Sequence, residues 1–158
     1  VVTPPPAPTT NAANKDANVI DVSAAPKPVG AYPHARVYGD LLFLSGIGPR
    51  TPGTNAVPGG PIRDPVTKAP LEYDVQAQTR QVIENIKIIL KGCNATLDDI
   101  IDVQVFLIDM DRDFKDFNVV YGEYFKSIQA TRTTVAISAL PTPIAVEFKV
   151  ICRNPACK

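Results

Sequence analysis

The chain has 158 residues, 45% of them hydrophobic, and its 16 basic and 16 acidic side chains leave no net charge. This length fits one domain, and the neutral balance gives no sign of a nucleic-acid partner or an anionic membrane surface. One histidine and three cysteines exclude a multi-histidine metal site in one chain, and no run approaches the roughly 18 apolar residues of a membrane span.

The first 18 residues are rich in proline and poor in large apolar side chains. Three consecutive prolines at 4–6 favour polyproline II and cannot continue a helix or a sheet ladder. We therefore predict a flexible tail over 1–18, a folded domain over 19–154 and a C-terminal tail over 155–158. Docking of the proline-rich tail on another subunit is the alternative.

Short apolar runs predict three strands at the start of the domain. Val19–Val22 is the first and is followed by a proline-rich bend. Ala35–Tyr38 and Leu41–Ser45 flank Gly39 and Asp40, a two-residue connection typical of a hairpin.

The stretch 47–72 carries six prolines and four glycines. That density excludes a helix and most strands. A loop of this length is unusual in a compact domain and is often functional. Within it, Pro61–Asp64 and Leu71–Tyr73 are candidates for the arms of a hairpin.

A first helix is predicted after this loop, from apolar residues that recur at helical spacing. Asp74 is expected to cap its start, and Gly92 is expected to be the residue just after its end. Thr96 and Asp99 have the spacing of a capping box, which predicts one further helical turn.

A second helix is predicted to begin at Asp111 or Asp113. We interpret its aromatic stripe as core packing: Phe114, Phe117, Tyr121, Tyr124 and Phe125. Ile100–Ile108 is a predicted strand before this helix, and Thr133–Ser138 and Ile144–Ile151 are predicted strands after it. This order predicts a mixed sheet with two helices on one face. The other face then needs a cover, which predicts packing against sister subunits.

Two charged residues in the last two strands are candidates for chemistry. Arg132 stands at a strand start, where a guanidinium can hold a carboxylate through two parallel hydrogen bonds; the alternative is an exposed or salt-bridged arginine. Glu147 fits a general acid or base with a pKa raised by partial burial. The alternative is a solvent-facing carboxylate, as Lys149 on the same side suggests. We expect their strands to form a hairpin that brings the two side chains together.

Other positions give weaker indications of a site. Tyr32, in the proline-rich bend, is either a lid or an edge-packing residue. Ser45 and Gly46 end a strand where backbone N–H groups can meet a ligand. Asn118 is a lone amide in the aromatic stripe and is either exposed or bonded to a loop.

The compartment is left open by the sequence. The chain begins at Val1 rather than at methionine, and no signal peptide is visible. We expect a cytoplasmic protein with three reduced thiols. A mitochondrial or exported protein, in which Cys152 and Cys157 can pair, is the alternative.

Five segments taken together resemble the Rid family (reactive intermediate deaminase, or YjgF): VGAYPHARVYGDLLFLSGIGP, AQTRQVIENIKIIL, FNVVYGEYF, ATRTTVAISALP and VEFKVI. The resemblance covers about 19–154. It implies an α/β (α+β) fold like that of chorismate mutase, with a mixed six-stranded sheet and two helices on one face. It also implies a homotrimer with sites in the clefts between subunits.

Within this family the chain is most similar to 2-aminomuconate deaminases. The resemblance implies hydrolysis of an enamine or imine carboxylate with release of ammonia. Arg132 would hold the substrate carboxylate and Glu147 would activate water. No metal or organic cofactor is expected, because imines hydrolyse with acid–base help alone.

The resemblance also implies supporting roles around the substrate. Tyr32 would close the cleft, Asn118 maps to the family asparagine, and Thr134 replaces the cysteine of many members. Backbone N–H groups near Gly46, beside Ser45, and near Thr134 would complete carboxylate binding, and Arg50 would meet a second carboxylate. Two alternatives stay open, a general 2-aminoacrylate-type imine deaminase and a non-enzymatic small-acid-binding or chaperone-like protein.

Overall fold

A computed structural model describes residues 16–157, which form a mixed six-stranded sheet covered on one face by two helices. The strands and helices are β1 Val19–Ile20, β2 Ala35–Tyr38, β3 Leu41–Leu44, α1 Val75–Gly92, β4 Ile100–Leu107, α2 Met110–Phe125, β5 Thr131–Ala136 and β6 Val146–Arg153. The order across the sheet is β1-β2-β3-β6-β4-β5. The predicted fold class is confirmed.

The hydrophobic core lies between the sheet and the two helices. Val103 and Val105 of β4 face the helices and are fully buried. Phe117 of α2 packs edge-on against Phe148 of β6, with ring centroids 5.9 Å apart. The aromatic stripe of α2 therefore contributes to the core, as predicted, although Phe114 keeps 38% of its surface exposed.

The helix ends differ in detail from the predicted ones. Asp74 caps α1 as expected and accepts hydrogen bonds from two backbone N–H groups. The prediction that Gly92 follows the helix was wrong, because Gly92 is its last residue. Val22 packs so closely there that a side chain at Gly92 would overlap it. The left-handed conformation falls instead on Asn94, whose φ is 56°.

The predicted start of α2 was also wrong. The helix begins at Met110, because Asp109 already supplies the cap by accepting a hydrogen bond from the backbone N–H of Arg112. Asp113 lies inside the helix and is buried, where it accepts a 2.6 Å hydrogen bond from the hydroxyl of Tyr73. This bond ties the end of the long loop to α2.

The predicted hairpin between the last two strands is wrong. β5 pairs with β4 in parallel, and β6 pairs with β4 on its other side in antiparallel fashion. β4 therefore lies between β5 and β6. The physical reason is the β4-α2-β5 crossover, which places β5 parallel to β4 at the edge of the sheet.

Two buried amides of α1 hold the long loop in place. Asn85 donates from its Nδ2 to the carbonyl oxygens of Gly48 and Arg50, at 2.9 and 2.8 Å. Gln78 donates to the carbonyl of Gly60 at 2.9 Å and accepts from the N–H of Ala145 at 2.8 Å. Both side chains are fully buried.

The rest of the loop is irregular, as its proline and glycine content predicts. The two proposed hairpin arms meet at one isolated bridge, between Arg63 and Pro70. Backbone hydrogen bonds on either side of the bridge, from Leu71 to Ile62 and from Asp64 to Ala69, extend this short contact.

The predicted tail over 1–18 lies outside the described residues except for 16–18, and the predicted C-terminal tail contains a short helical turn, Pro155–Cys157. Cys93, Cys152 and Cys157 are free thiols. Within residues 16–157, no helix is long and apolar enough to cross a membrane.

We predict that Asn85→Ala lowers the free energy of unfolding by about 2–4 kcal/mol, because it removes a fully buried side chain that donates to the carbonyl groups of Gly48 and Arg50. Denaturant unfolding at one protein concentration measures the change. Lys87→Ala, on the exposed side of the same helix, is the matched control and should change stability far less. Equal effects of the two substitutions would contradict the anchoring role of Asn85.

Candidate functional site

A cleft of about 400 Å³ opens on the sheet face that the helices leave uncovered. We call it the glutamate cleft, and the lining residues used below are Tyr32, Ser45, Gly46, Arg50, Glu147 and Lys149. Five of these six were predicted as site residues from the sequence. Lys149 was not.

An irregularity between β3 and β6 shapes the floor of the cleft. The strands pair at Phe43 with Ile151 and meet again at Ile47 with Phe148. Residues 44–46 therefore lie opposite only two residues of β6. Such a bulge frees backbone groups from the ladder and is common beside functional sites.

Gly46, in this bulge, lies directly against the Glu147 carboxylate. A side chain at Gly46 would overlap a carboxylate oxygen of Glu147, so any larger residue there would force the Glu147 side chain to move. The N–H of Gly46 donates to no acceptor among the described residues. Glu147 is half-buried, and this burial raises the pKa of its carboxyl group, because loss of water disfavours the charged form.

Two residues of the predicted set join the bend to the cleft wall. The hydroxyl of Ser45 donates to the carbonyl of Pro33 at 2.6 Å, and its N–H donates to the carbonyl of His34 at 3.0 Å. Tyr32 stands at the rim with 42% of its surface exposed. Ser45 therefore fixes the bend, and Tyr32 is placed to cover a ligand.

Arg50 reaches the cleft from the long loop. Its two terminal nitrogens donate to the carbonyl of Lys27 at 2.7 Å and to the side chain of Asn55 at 3.0 Å. Both acceptors are neutral. Among residues 16–157 no carboxylate forms an ion pair with Arg50.

The remaining predicted residues form a second cluster, which we call the arginine patch: Arg132, Asn118 and Thr134. Arg132 donates to the side-chain oxygen of Asn118 at 2.8 Å. Its guanidinium carbon lies 4.5 Å from the ring centroid of Tyr121. These contacts orient the guanidinium before any ligand arrives.

The arginine patch has polar groups that the described part of the chain leaves unpaired. No carboxylate in the range 16–157 forms an ion pair with Arg132. The hydroxyl oxygens of Tyr121 and Thr134 are buried and have no hydrogen-bond partner there. An unpaired guanidinium beside unsatisfied hydroxyl groups is suited to an anionic ligand that supplies hydrogen-bond acceptors.

The glutamate cleft and the arginine patch lie on opposite faces of one sheet. Arg132 pairs with Val103, whose side chain points to the helices, whereas Glu147 pairs with Phe106, three residues further along β4. Side chains alternate along a strand, so these two residues point to opposite sides. The expectation that Arg132 and Glu147 are close together is wrong within one chain.

Sequence reasoning missed three residues that build or line the site. Lys149 was interpreted as evidence for a solvent-facing strand side, yet it is half-buried and bonds to the carbonyl of Leu44. Gln78 and Asn85 belong to the AQTRQVIENIKIIL segment but were not singled out as residues that build the site. A signal existed for the amides, because both fall among the apolar positions of α1 at helical spacing.

The chain is similar to proteins of known family over most of its length. Residues 22–154 match the family described as endoribonuclease L-PSP. A "RutC family protein" of Sulfurisphaera tokodaii is 43% identical over 128 residues, which are 81% of this chain and 91% of that protein. The Escherichia coli protein named "Putative reactive intermediate deaminase TdcF" is 32% identical over 87% of this chain and 98% of its own.

Solved structures agree with these sequence relatives. The crystal structure of E. coli TdcF with bound serine matches with a TM-score of 0.71, 31% identity, and coverage of 85% of this chain and 97% of that one. YyfA of Yersinia pestis, described as a member of the conserved Rid protein family, matches with a TM-score of 0.72 at 32% identity, over 85% and 97% of the two chains.

We predict that the Glu147 carboxyl titrates above the ordinary glutamate pKa of about 4.3, and that Gly46→Ala moves its pKa back toward that value. The added methyl group would push the carboxylate out of its half-buried position toward water. Side-chain carboxyl NMR of Glu147 over a pH series measures this shift. Gly122→Ala is the control, because a methyl group there meets open space. Identical titrations of Glu147 in the wild type and in Gly46→Ala would refute the close contact.

Proposed function

The chain belongs to the Rid (YjgF) family, and we propose that it hydrolyses the C=N bond of a small imine or enamine carboxylate to a carbonyl compound and ammonia. The observation that carries this proposal is Arg132, an oriented guanidinium that has no anionic partner in the described part of the chain. We propose that the carboxylate of the substrate is the anionic partner of Arg132.

Arg132 would fix the substrate through two parallel hydrogen bonds to its carboxylate. Asn118 and the ring of Tyr121 already orient the guanidinium, so the Arg132 side chain loses little conformational freedom when a substrate binds. The substrate carboxylate would supply acceptors for the hydroxyl groups of Thr134 and Tyr121. Binding would then give an anionic partner to Arg132 and a hydrogen-bond acceptor to each of the two buried hydroxyl groups.

Glu147 would act as the general base. Its pKa is raised by burial, which brings it closer to neutral pH, where proton transfer in both directions is efficient. The reacting species is the protonated imine, C=NH2+. Glu147 takes a proton from water as the water oxygen attacks the imine carbon, which gives a neutral carbinolamine. Glu147 passes that proton to the amino nitrogen and then takes the hydroxyl proton as the C–N bond breaks, so ammonia and a C=O group remain and the last proton passes from Glu147 to solvent.

We propose that the two halves of the site meet between subunits of a homotrimer. Arg132 and Glu147 lie on opposite faces of one sheet, so one chain cannot place both against the same small molecule. The arginine patch of one subunit against the glutamate cleft of its neighbour would complete a site. This arrangement would also cover the sheet face that the helices leave open.

For the substrate, we propose 2-aminomuconate, with a simpler 2-aminoacrylate-type imine as the alternative. The relative TdcF is named as a reactive intermediate deaminase, and its crystal structure holds serine, a small amino acid with one carboxylate. 2-Aminomuconate carries a second carboxylate. Arg50, in the glutamate cleft, is the residue that would meet it.

The test is ammonia release from freshly generated 2-aminomuconate and 2-aminoacrylate, followed in a coupled assay. We expect turnover by the wild type with a preference for 2-aminomuconate. Arg132→Ala should lower kcat/KM at least about 100-fold, because it removes a charged pair that holds the substrate. Glu147→Gln should lower kcat about 100- to 10,000-fold with a smaller effect on KM, because it removes the base.

A control variant separates these effects from damage to the fold. Lys87→Ala, on the exposed side of α1, should keep wild-type turnover. Release of ammonia from neither substrate by the wild type would reject the proposed activity and favour a protein that only binds small acids. Full activity of Glu147→Gln would remove the glutamate from the mechanism.

A further inference from the structure

Lys149 is a half-buried cation in the glutamate cleft that the mechanism above does not use. It lies two residues from Glu147 on the same side of β6, and its amine donates to the carbonyl of Leu44 in the bulge. Burial lowers the pKa of this amine. Within residues 16–157 it forms no ion pair with a carboxylate.

The charges that line the cleft do not balance. Three of the described lining residues carry a formal charge, and two of them, Arg50 and Lys149, are cations against the single carboxylate of Glu147. Both cations are held by neutral groups: the carbonyls of Lys27 and Leu44 and the side chain of Asn55. An anion that enters the cleft would meet both cations and offset this excess of positive charge.

From these contacts we infer that Lys149, together with Arg50, forms a second anion subsite that selects substrates with two carboxylates. Arg132 of the arginine patch takes the carboxylate next to the C=N group, and the pair in the glutamate cleft takes the distal one. This inference rests on the proposed deamination for its choice of substrate. It makes Lys149 a specificity-determining residue.

Fixed placement of Lys149 supports this role. The regular pairing of β3 with β6 stops at Phe43 and Ile151, and the lysine amine bonds to the Leu44 carbonyl at this break. The amine is a three-donor group, so two donors stay available for a carboxylate. The contact with Leu44 therefore positions the ammonium group and leaves its other two N–H donors free to bind a ligand.

The test compares two unreactive ligands of equal chain length: muconate, with two carboxylates, and sorbate, with one. Isothermal titration calorimetry on the full chain gives Kd for each. We expect the wild type to prefer muconate and Lys149→Met to reduce that preference about tenfold or more, because a hydrogen bond between charged groups is lost. Lys149→Arg should restore most of the preference, since it keeps the charge.

Lys87→Met, on the exposed side of α1, is the matched control and should keep the wild-type preference. Equal weakening of muconate and sorbate in Lys149→Met would show that the lysine only braces the bulge, and would overturn the inference. Absence of any preference for muconate in the wild type would overturn it as well.

The outcome for the subsite is separate from that for the activity. Ammonia release without a preference for muconate would leave the proposed activity standing and reject the anion subsite. A preference for muconate that depends on Lys149, without any ammonia release, would support the anion subsite and reject the proposed activity.

Discussion

The position of the candidate site depends on two buried amides in the first long helix. Asn85 and Gln78 face the core where apolar residues are expected, and they donate to backbone carbonyls of the irregular loop. Backbone hydrogen bonds within this loop satisfy only part of its polar groups, and the two amide side chains satisfy the carbonyls of Gly48, Arg50 and Gly60. These hydrogen bonds fix Gly48 and Arg50 at the cleft, and Gln78 also accepts from the N–H of Ala145, just before β6. The irregular loop can therefore form a wall of the cleft.

The topology of the sheet separates the chemistry into two halves. β4 lies between β5 and β6, and on it the partner of Arg132 (Val103) and the partner of Glu147 (Phe106) are three residues apart. Because side chains alternate along a strand, Arg132 faces the helices while Glu147 faces the open side. Each half is incomplete in a different way: the arginine patch has an unpaired cation and unsatisfied hydroxyl groups, and the glutamate cleft has a half-buried carboxylate against a glycine. In the proposed homotrimer, association of copies would make both halves parts of one site.

The sequence predicted the fold class, the two helices and most of the residues that lie in the two clusters, because periodicity and the family motifs are local signals. It failed on relations between distant segments. The pairing of β5 and β6 was predicted as a hairpin because the two strands are consecutive, and only the crossover through α2 shows that they are not neighbours. Lys149 was interpreted as a sign of solvent exposure, since its bond to Leu44 joins positions 105 residues apart and leaves no trace in the local pattern.

The central claim, that Arg132 of one subunit completes the site of Glu147 in another, is tested most directly by mixing two inactive variants. Arg132→Ala and Glu147→Gln would be co-expressed with different tags, and hybrids would be isolated through both tags. In a cyclic trimer every such hybrid contains one intact arginine–glutamate pair, so about one third of wild-type ammonia release should return. Arg132→Ala co-expressed with the double variant Arg132→Ala/Glu147→Gln is the control, and it should stay inactive. Hybrids of the two single variants that are no more active than their parents would contradict the shared site.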